Sequence, residues 1–179
     1  ACGGDSLMRV SAYRTAGGFS ASMVAGEEPE LCSRIRKAGW KVHRIDAPMT
    51  IHDAAMLRFG QWWMRGVRGG FGYAQVNAQA RSAGLSLYQA EVRRAWIWAA
   101  LVPVTICALA MISPAALIAL PVVYGLQIVR IAARRGIAHR TSWEYALFAV
   151  LAKFPELQGI LRYMRQRFAG KADTAILYK

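Results

Sequence analysis

Three glutamates within four positions are the residues of this sequence whose type and spacing best suit acid–base chemistry. Glu27, Glu28 and Glu30 flank Pro29 in the stretch GEEPELCSRIRKAGW, residues 26–40. A carboxylate beside a reacting hydroxyl group can act as a general base and accept its proton. Carboxylates at the start of a helix also interact favourably with the helix dipole. The stretch therefore admits two interpretations, a catalytic base or an ordinary helix with well-placed charges.

The remainder of the stretch has the features of a helix. Pro29 suits a first helical turn, and Gly39 is a residue type that commonly follows a helix end. Leu31 and Ile35 share one face, and cations fill the last turn. Helix formation alone accounts for every charge in the stretch, so a catalytic interpretation needs support from elsewhere in the sequence.

The elements around the glutamates predict a mixed α/β region over residues 1–55. A short helix at 11–16, a glycine turn, the helix of the glutamate stretch and a strand at 41–45 fit between the glycines. The sequence starts with ACGG, without an initiator methionine or a signal-peptide pattern, and we expect it to be the C-terminal part of a longer protein. The predicted fold class is α/β.

Residues 56–94 combine aromatic side chains with arginines. Trp62 and Trp63 lie close to Arg65 and Arg68, and the apolar residues follow helical spacing. Tryptophan beside arginine is typical of a helix at a bilayer interface. We predict amphipathic interface helices here, and a core helix with a basic solvated face is the alternative.

Residues 95–131 predict a transmembrane helical hairpin. No charged residue occurs between Arg94 and Arg130, a run of 35 residues. Ser113 and Pro114 divide the run into two spans near the lower length limit for crossing a bilayer. Two alternatives stay open: a buried hairpin inside a larger soluble protein, and a re-entrant hairpin that does not reach the far leaflet.

Arginines flank the hairpin on both sides. Arg93 and Arg94 precede it, and Arg134 belongs to a basic group that follows it. Because positively charged flanks stay on the cytoplasmic side, we predict that both ends are cytoplasmic and that the protein lies in the inner (cytoplasmic) membrane. Residues 132–179 predict a basic amphipathic helix, restarted around Pro155, and a tail that suits anionic headgroups.

The overall composition favours membrane lipids over nucleic acid as partners. The formal net charge is +13, which would suit either, but 55% of the residues are hydrophobic. A long uncharged run is unusual in a soluble nucleic-acid binder, which would instead show salt-sensitive binding without detergent. We therefore predict no nucleic-acid partner.

Short motifs within residues 1–55 occur in a specific order. The set comprises Met8-Arg9, Gly17-Gly18-Phe19, Gly26-Glu27-Glu28-Pro29-Glu30-Leu31, Arg34, Gly39-Trp40 and His52. In this order the motifs resemble the acceptor-side half of a family 2 glycosyltransferase of the GT-A type. The resemblance implies a partial GT-A (Rossmann-like) domain over residues 1–55, followed by the interface helices and the two-helix transmembrane hairpin.

The resemblance also implies roles for individual residues. In such enzymes the second acidic residue, usually aspartate, is the catalytic base; here it corresponds to Glu28, with Glu27 as the alternate. His52 corresponds to a position that contributes to the divalent metal or the leaving diphosphate. The arginine–tryptophan motif of processive members is only imperfectly matched by QWWMRG, residues 61–66, so processivity is not inferred.

We further expect substrate contacts from the predicted interface helix. Trp62 or Trp63 would stack on a sugar or lipid acceptor, and Arg65 or Arg68 would face a diphosphate. The predicted partners are a nucleotide-sugar donor, a lipid-linked or glycan acceptor, and membrane lipids.

The function implied is inverting transfer of a sugar (hexosyltransferase type) to a lipid-linked or polysaccharide acceptor at the cytoplasmic membrane face. The cofactor implied is a divalent metal, Mg or Mn, held mainly by an N-terminal nucleotide-binding half that these 179 residues lack. We therefore expect the chain alone to be incomplete and inactive. The alternative is a non-catalytic, membrane-associated interaction module derived from such an enzyme.

Overall fold

The structure, a computed structural model, describes residues 6–20, 23, 26–46, 56–82 and 84–170, and its regular elements are helices. The α-helices within these residues are α1 (Val10–Thr15), α2 (Glu27–Lys37), α3 (Phe59–Ser82), α4 (Gln89–Trp96), α5 (Val102–Ala110), α6 (Ala119–Arg135), α7 (Arg140–Leu151) and α8 (Lys153–Phe168). A π-helical turn (Ile97–Leu101) joins α4 to α5, and a 3-10 helix (Pro114–Ile118) leads into α6.

The predicted α/β fold class is wrong. The described ranges contain no strand, and the segment predicted as a strand, 41–45, lies in a stretch without regular structure. A short extended segment forms a strand only when a neighbouring strand accepts and donates the backbone hydrogen bonds. The described part of the chain offers no such neighbour and is helical, so the prediction of a partial GT-A (Rossmann-like) domain is wrong.

Helix α2 ends where the sequence predicted. Gly39 has a left-handed backbone (φ 86°), and its N–H bonds to the Arg36 carbonyl at 3.0 Å. The N–H of Trp40 bonds to the Ile35 carbonyl at 3.1 Å. This pair of bonds is the Schellman arrangement, which satisfies carbonyls at the helix end and favours glycine at this position.

Helices α3 and α8 cross at very short range because both contribute glycines. A Cβ atom added to Gly70 of α3 would overlap the backbone of Glu156 on α8. A Cβ atom added to Gly159 of α8 would likewise overlap the backbone of Val67 on α3. The two glycines therefore set the distance between the helices.

The apolar core of the molecule surrounds this crossing. Phe71 and Tyr163 meet edge to face with ring centroids 5.3 Å apart, and Leu157 and Ile160 complete the buried cluster. Ala95 of α4 is also fully buried in it. The crossing thus joins α3, α8 and α4 in one core.

The hairpin consists of two long apolar helices. The continuous helical segments Gln89–Ala110 and Pro114–Arg135 have 22 residues each, and both are long and apolar enough to cross a membrane. At 1.5 Å per residue each spans about 33 Å, slightly more than the hydrocarbon core of a bilayer. The helices exceed the predicted spans because they extend into the flanking arginine-containing segments. Most of their apolar surface is exposed rather than buried in the protein.

A π-helical turn in the first hairpin helix leaves one carbonyl without a donor from its own helix. The N–H of Val102, which follows the turn, bonds to the carbonyl of Ile97, five residues back instead of the four of an α-helix. The next residue, Pro103, has no N–H. The carbonyl of Trp98 therefore has no helical donor. The hydroxyl of Tyr124 on α6 donates a hydrogen bond to this carbonyl. The ring centroids of Tyr124 and Trp98 lie 6.1 Å apart.

The C-terminal helical region is interrupted near Pro155, as predicted. Helix α7 ends at Leu151 and α8 starts at Lys153, which places Pro155 in a first turn where a missing N–H is tolerated. The ring of Phe148 on α7 packs edge to face on Trp62 at 5.2 Å. Both helices therefore pack beside the aromatic start of α3.

Candidate functional site

Glu30 is engaged in a structural clamp. Arg34 donates from Nε and Nη2 to the two carboxylate oxygens of Glu30, at 2.6 Å each. Arg34 Nη2 also donates to the Gly18 carbonyl at 2.7 Å, and Nη1 donates to the Ala16 carbonyl. The hydrogen bond with Glu30 raises the pKa of Arg34 above its ordinary value. Both glutamate oxygens thus serve to hold the glycine turn after α1 against α2.

The start of α2 packs directly on the helical core. Gly26, which precedes the helix, has φ 83°, and an added Cβ would lie 2.9 Å from Val76 Cγ2 on α3 and 3.7 Å from the Tyr88 ring. Glu27 and Glu28 follow at once and are half-buried. Burial, and then the charges of Glu91, Glu28 and Glu27 in that order, raise the pKa of Tyr88. The two candidate bases therefore lie within electrostatic reach of this phenol.

A line of polar and aromatic side chains continues from Tyr88 to α8. The rings of Tyr88 and Tyr73 lie 4.8 Å apart. Burial and then the charge of Glu156 raise the pKa of Tyr73. Glu156 is only 9% exposed, and its Oε2 accepts a hydrogen bond from Lys153 at 2.6 Å. We call Glu28, Tyr88, Tyr73 and Glu156 the carboxylate–tyrosine row.

The pKa of Glu156 is raised above its ordinary value. Burial is the main cause, because it penalises the charged form of a carboxyl group. The hydrogen bond and charge of Lys153 act in the opposite direction. Glu156 is thus a carboxyl group that folding makes easier to protonate.

A cleft opens between α3 and α8 at the end of this row. Its volume is about 300 Å³, at the lower end of the range for small-molecule sites. Six of the residues that line it are Trp62, Arg65, Gly66, Gly69, Tyr73 and Glu156. We call this space the α3–α8 cleft. It combines two aromatic rings, one cation and one buried carboxylate.

The structure brings together only some of the residues that the sequence suggested for substrate binding. Trp62 and Arg65 both line the α3–α8 cleft. Trp63 instead donates its indole N–H to Gln158 Oε1 on α8 at 2.8 Å, and Arg68 is half-buried outside the cleft lining. His52 lies outside the described residues.

Three residues of the carboxylate–tyrosine row were missed by sequence reasoning. Tyr73, Tyr88 and Glu156 come from α3, the residue before α4, and α8, and the packing of these three helices brings them together. A signal for Glu156 was present, because it directly precedes Leu157 on the apolar face of a predicted amphipathic helix. A charged residue at such a position is rarely buried without a partner.

The described residues do not fit the divalent metal that the resemblance implies. Across those residues, no three histidine, cysteine, aspartate or glutamate side chains lie close enough together to hold a metal ion. A site for Mg or Mn normally gathers several oxygen ligands. The metal would therefore need ligands from outside the described part of the chain.

Comparisons with known proteins give no relative for this chain: no protein-family model, no curated protein and no solved structure matches it. Its function is therefore inferred from its residues and their arrangement.

Proposed function

We propose that this chain is the acceptor-side, membrane-bound part of an inverting glycosyltransferase. It moves a sugar from a nucleotide-sugar donor to a lipid-linked or polysaccharide acceptor at the cytoplasmic face of the inner membrane. The observation that carries the proposal is the position of Glu28. It is a half-buried carboxylate at a fixed helix start, and it acts electrostatically on Tyr88, whose ring lies 4.8 Å from that of Tyr73 in the cleft lining.

The proposed reaction uses Glu28 as general base. The oxygen of an acceptor hydroxyl forms a bond to the anomeric carbon of the donor sugar while the bond from that carbon to the diphosphate breaks. The hydroxyl proton passes to the Glu28 carboxylate, and the electron pair of the broken bond leaves with the nucleoside diphosphate. The hydroxyl oxygen attacks the anomeric carbon on the side opposite the leaving diphosphate, which inverts the anomeric configuration.

The backbone around Glu28 is suited to holding a base in place. The Arg34 clamp fixes α2 to the preceding glycine turn, and Gly26 fixes its start against Val76 and Tyr88. General-base catalysis depends on such positioning, since small displacements of the catalytic group reduce the rate strongly. Glu27 is the alternate base, and Glu30 is excluded because Arg34 occupies both of its oxygens.

The described residues do not assemble a metal site, so each step of the proposed reaction is assigned to residues of this chain. A divalent cation bound elsewhere would stabilise the negative charge that develops on the leaving diphosphate. The contribution of this chain is then to position the acceptor and remove its proton.

The two apolar helices support the membrane assignment. Their exposed apolar surface needs a non-aqueous environment, and arginines occupy the outer ends of both helices. The distribution of arginines favours a cytoplasmic position for both ends. An acceptor attached to a lipid would then reach the α3–α8 cleft from the adjacent leaflet.

The experiment that tests this function measures sugar transfer by membranes that contain the full-length polypeptide carrying this sequence. A panel of radiolabelled UDP-, GDP- and dTDP-sugars is supplied, and label is counted in lipid and polysaccharide extracts. We expect transfer from at least one donor, and loss of that transfer with retained donor binding in Glu28→Gln. Absence of transfer from every donor would contradict the proposal and favour the non-catalytic membrane module.

A further inference from the structure

Glu156 is a buried carboxyl group that the proposed reaction does not use. It is 9% exposed at the α3–α8 crossing, where the surrounding cluster is apolar. Burying a carboxylate costs free energy even when it is paired, and an apolar residue would pack at lower cost. Lys153 donates a hydrogen bond to its Oε2 at 2.6 Å. A carboxylate has about four lone-pair sites, so acceptor capacity remains for a ligand.

Gly69 is a second feature that packing does not explain. It lies in the interior of α3, where glycine weakens a helix, and an added Cβ would meet nothing within 4 Å. Gly66 differs, because its added Cβ would lie 2.8 Å from the Pro155 ring. Since Gly69 lines the α3–α8 cleft, the effect of its missing side chain is to keep the cleft open.

We propose that the α3–α8 cleft binds one neutral glycosyl unit of the acceptor. Glu156 accepts hydrogen bonds from sugar hydroxyls, Tyr73 donates or accepts one, and Arg65 donates to a ring or hydroxyl oxygen. The Trp62 ring covers the apolar face of the sugar, as aromatic residues commonly do in small-molecule sites. A volume of about 300 Å³ suits a single sugar ring rather than a longer glycan.

The hydrogen-bonding groups of the cleft favour a hydroxyl-rich ligand over an anionic one. Its lining contains the Glu156 carboxylate, paired with Lys153, and the cation Arg65. A phosphate dianion has no hydrogen-bond donor to offer the Glu156 carboxylate. A hydroxyl-rich ligand instead satisfies both charged groups through hydrogen bonds.

The assignment deepens the proposed function and rests on it for the identity of the ligand as acceptor. The carboxylate–tyrosine row joins the two sites: Tyr73 lines the cleft, and its ring contacts Tyr88, which is within electrostatic reach of Glu28. A glycosyl unit held in the cleft would therefore place the next unit of the acceptor toward the base. The cleft positions the acceptor, and Glu28 removes its proton.

The test measures sugar binding separately from sugar transfer. Saturation-transfer NMR is recorded with the full-length protein in detergent micelles and a panel of methyl hexopyranosides and methyl N-acetylhexosaminides. Gly69→Leu places a side chain in the cleft, and its Cβ atom would meet nothing within 4 Å. Gly60→Leu is the matched control, because Gly60 lies on the same helix outside the cleft lining and an added Cβ there also meets nothing within 4 Å.

We expect the wild type and Gly60→Leu to bind at least one glycoside and Gly69→Leu to bind about tenfold more weakly or not at all. Glu156→Gln, which keeps the shape but removes the charge, should also weaken binding. Thermal unfolding of each variant identifies any loss of fold.

Three results would overturn the inference. These are no glycoside binding by the wild type, equal binding by Gly69→Leu, and cleft-dependent binding of inorganic phosphate or phosphatidylglycerol vesicles in place of sugar. Glycoside binding by a protein that transfers no sugar would retain the cleft assignment and remove the proposed function.

Discussion

Adding one methyl group at two adjacent glycines of α3 should change stability in opposite directions. An added Cβ at Gly70 would lie 2.6 Å from the Cα and carbonyl carbon of Glu156, whereas ordinary contacts begin at 3.4 Å. Helices α3 and α8 must therefore move apart in Gly70→Ala. An added Cβ at Gly69 meets nothing within 4 Å, so Gly69→Ala leaves the crossing intact.

The expected magnitudes follow from packing and helix propensity. Overpacking a tight core costs about 3 kcal/mol when the backbone has to shift. Replacing glycine with alanine in a helix interior raises the unfolding free energy by about 1 kcal/mol through helix propensity. Gly70→Ala should therefore lower the unfolding free energy by about 2 kcal/mol, and Gly69→Ala should raise it by up to about 1 kcal/mol.

The assay is thermal unfolding in detergent, followed by far-UV circular dichroism and tryptophan fluorescence. At about 2–4 °C per kcal/mol for a chain of this size, Gly70→Ala should unfold about 4–8 °C below the wild type. Gly69→Ala should unfold at or slightly above the wild-type temperature. Equal midpoints for the two variants would refute the close crossing of α3 and α8.

Three further changes test other parts of the structure. Tyr124→Phe removes the donor to the carbonyl that Pro103 leaves unsatisfied, so it should destabilise the hairpin by about 1 kcal/mol. In a Pro103→Ala background the loss of stability should be smaller, and equal losses in the two backgrounds would contradict the pairing. Because burial raises the pKa of Glu156, the folded state binds this proton more readily than the unfolded state. Stability should therefore fall as pH rises from about 4.5 toward 7. The unfolding midpoint of Glu156→Gln should not show this fall, and parallel pH profiles of the unfolding midpoint for the two proteins would contradict the burial effect. In a cysteine-free background, a membrane-impermeant maleimide should label Ser113→Cys but not Thr141→Cys in intact cells, and labelling of Thr141→Cys or protection of Ser113→Cys would contradict the proposed orientation or the full span.

The hairpin could be predicted because its signal is local and direct. The uncharged run between Arg94 and Arg130 indicates that the segment can enter the apolar interior of a bilayer. The break at Ser113–Pro114 indicates where the first helix ends. The length of each helix could not be read in the same way. The helices extend beyond the run because residues such as Gln89 and Arg135 continue the helical backbone without being apolar.

The strand predicted at 41–45 shows why a short local sequence is insufficient evidence for a strand. A helix satisfies its backbone hydrogen bonds within its own sequence, and α2 formed at the glutamate stretch as predicted. A strand depends on a partner segment that its own residues do not specify. The prediction of an α/β fold therefore failed at the one element that required a neighbour.

The candidate site was predicted in part for a similar reason. Glu28 and Trp62 belong to recognisable local patterns, so sequence reasoning could find them. Tyr73 and Glu156 become neighbours only because Gly70 and Gly159 allow α3 and α8 to approach closely. Likewise, the hydrogen bonds from Arg34 to the carbonyls of Ala16 and Gly18 are tertiary contacts, which the sequence rules for helices do not predict.

The most direct test of the central claim is the turnover number of Glu28→Gln in the membrane-embedded full-length protein, with Glu27→Gln measured beside it. Removing a general base typically lowers the rate by about 100-fold or more. We predict a fall of that size in kcat for Glu28→Gln with an unchanged KM for the nucleotide sugar, and a much smaller effect for Glu27→Gln. A Glu28→Gln protein that turns over at the wild-type rate would contradict the account.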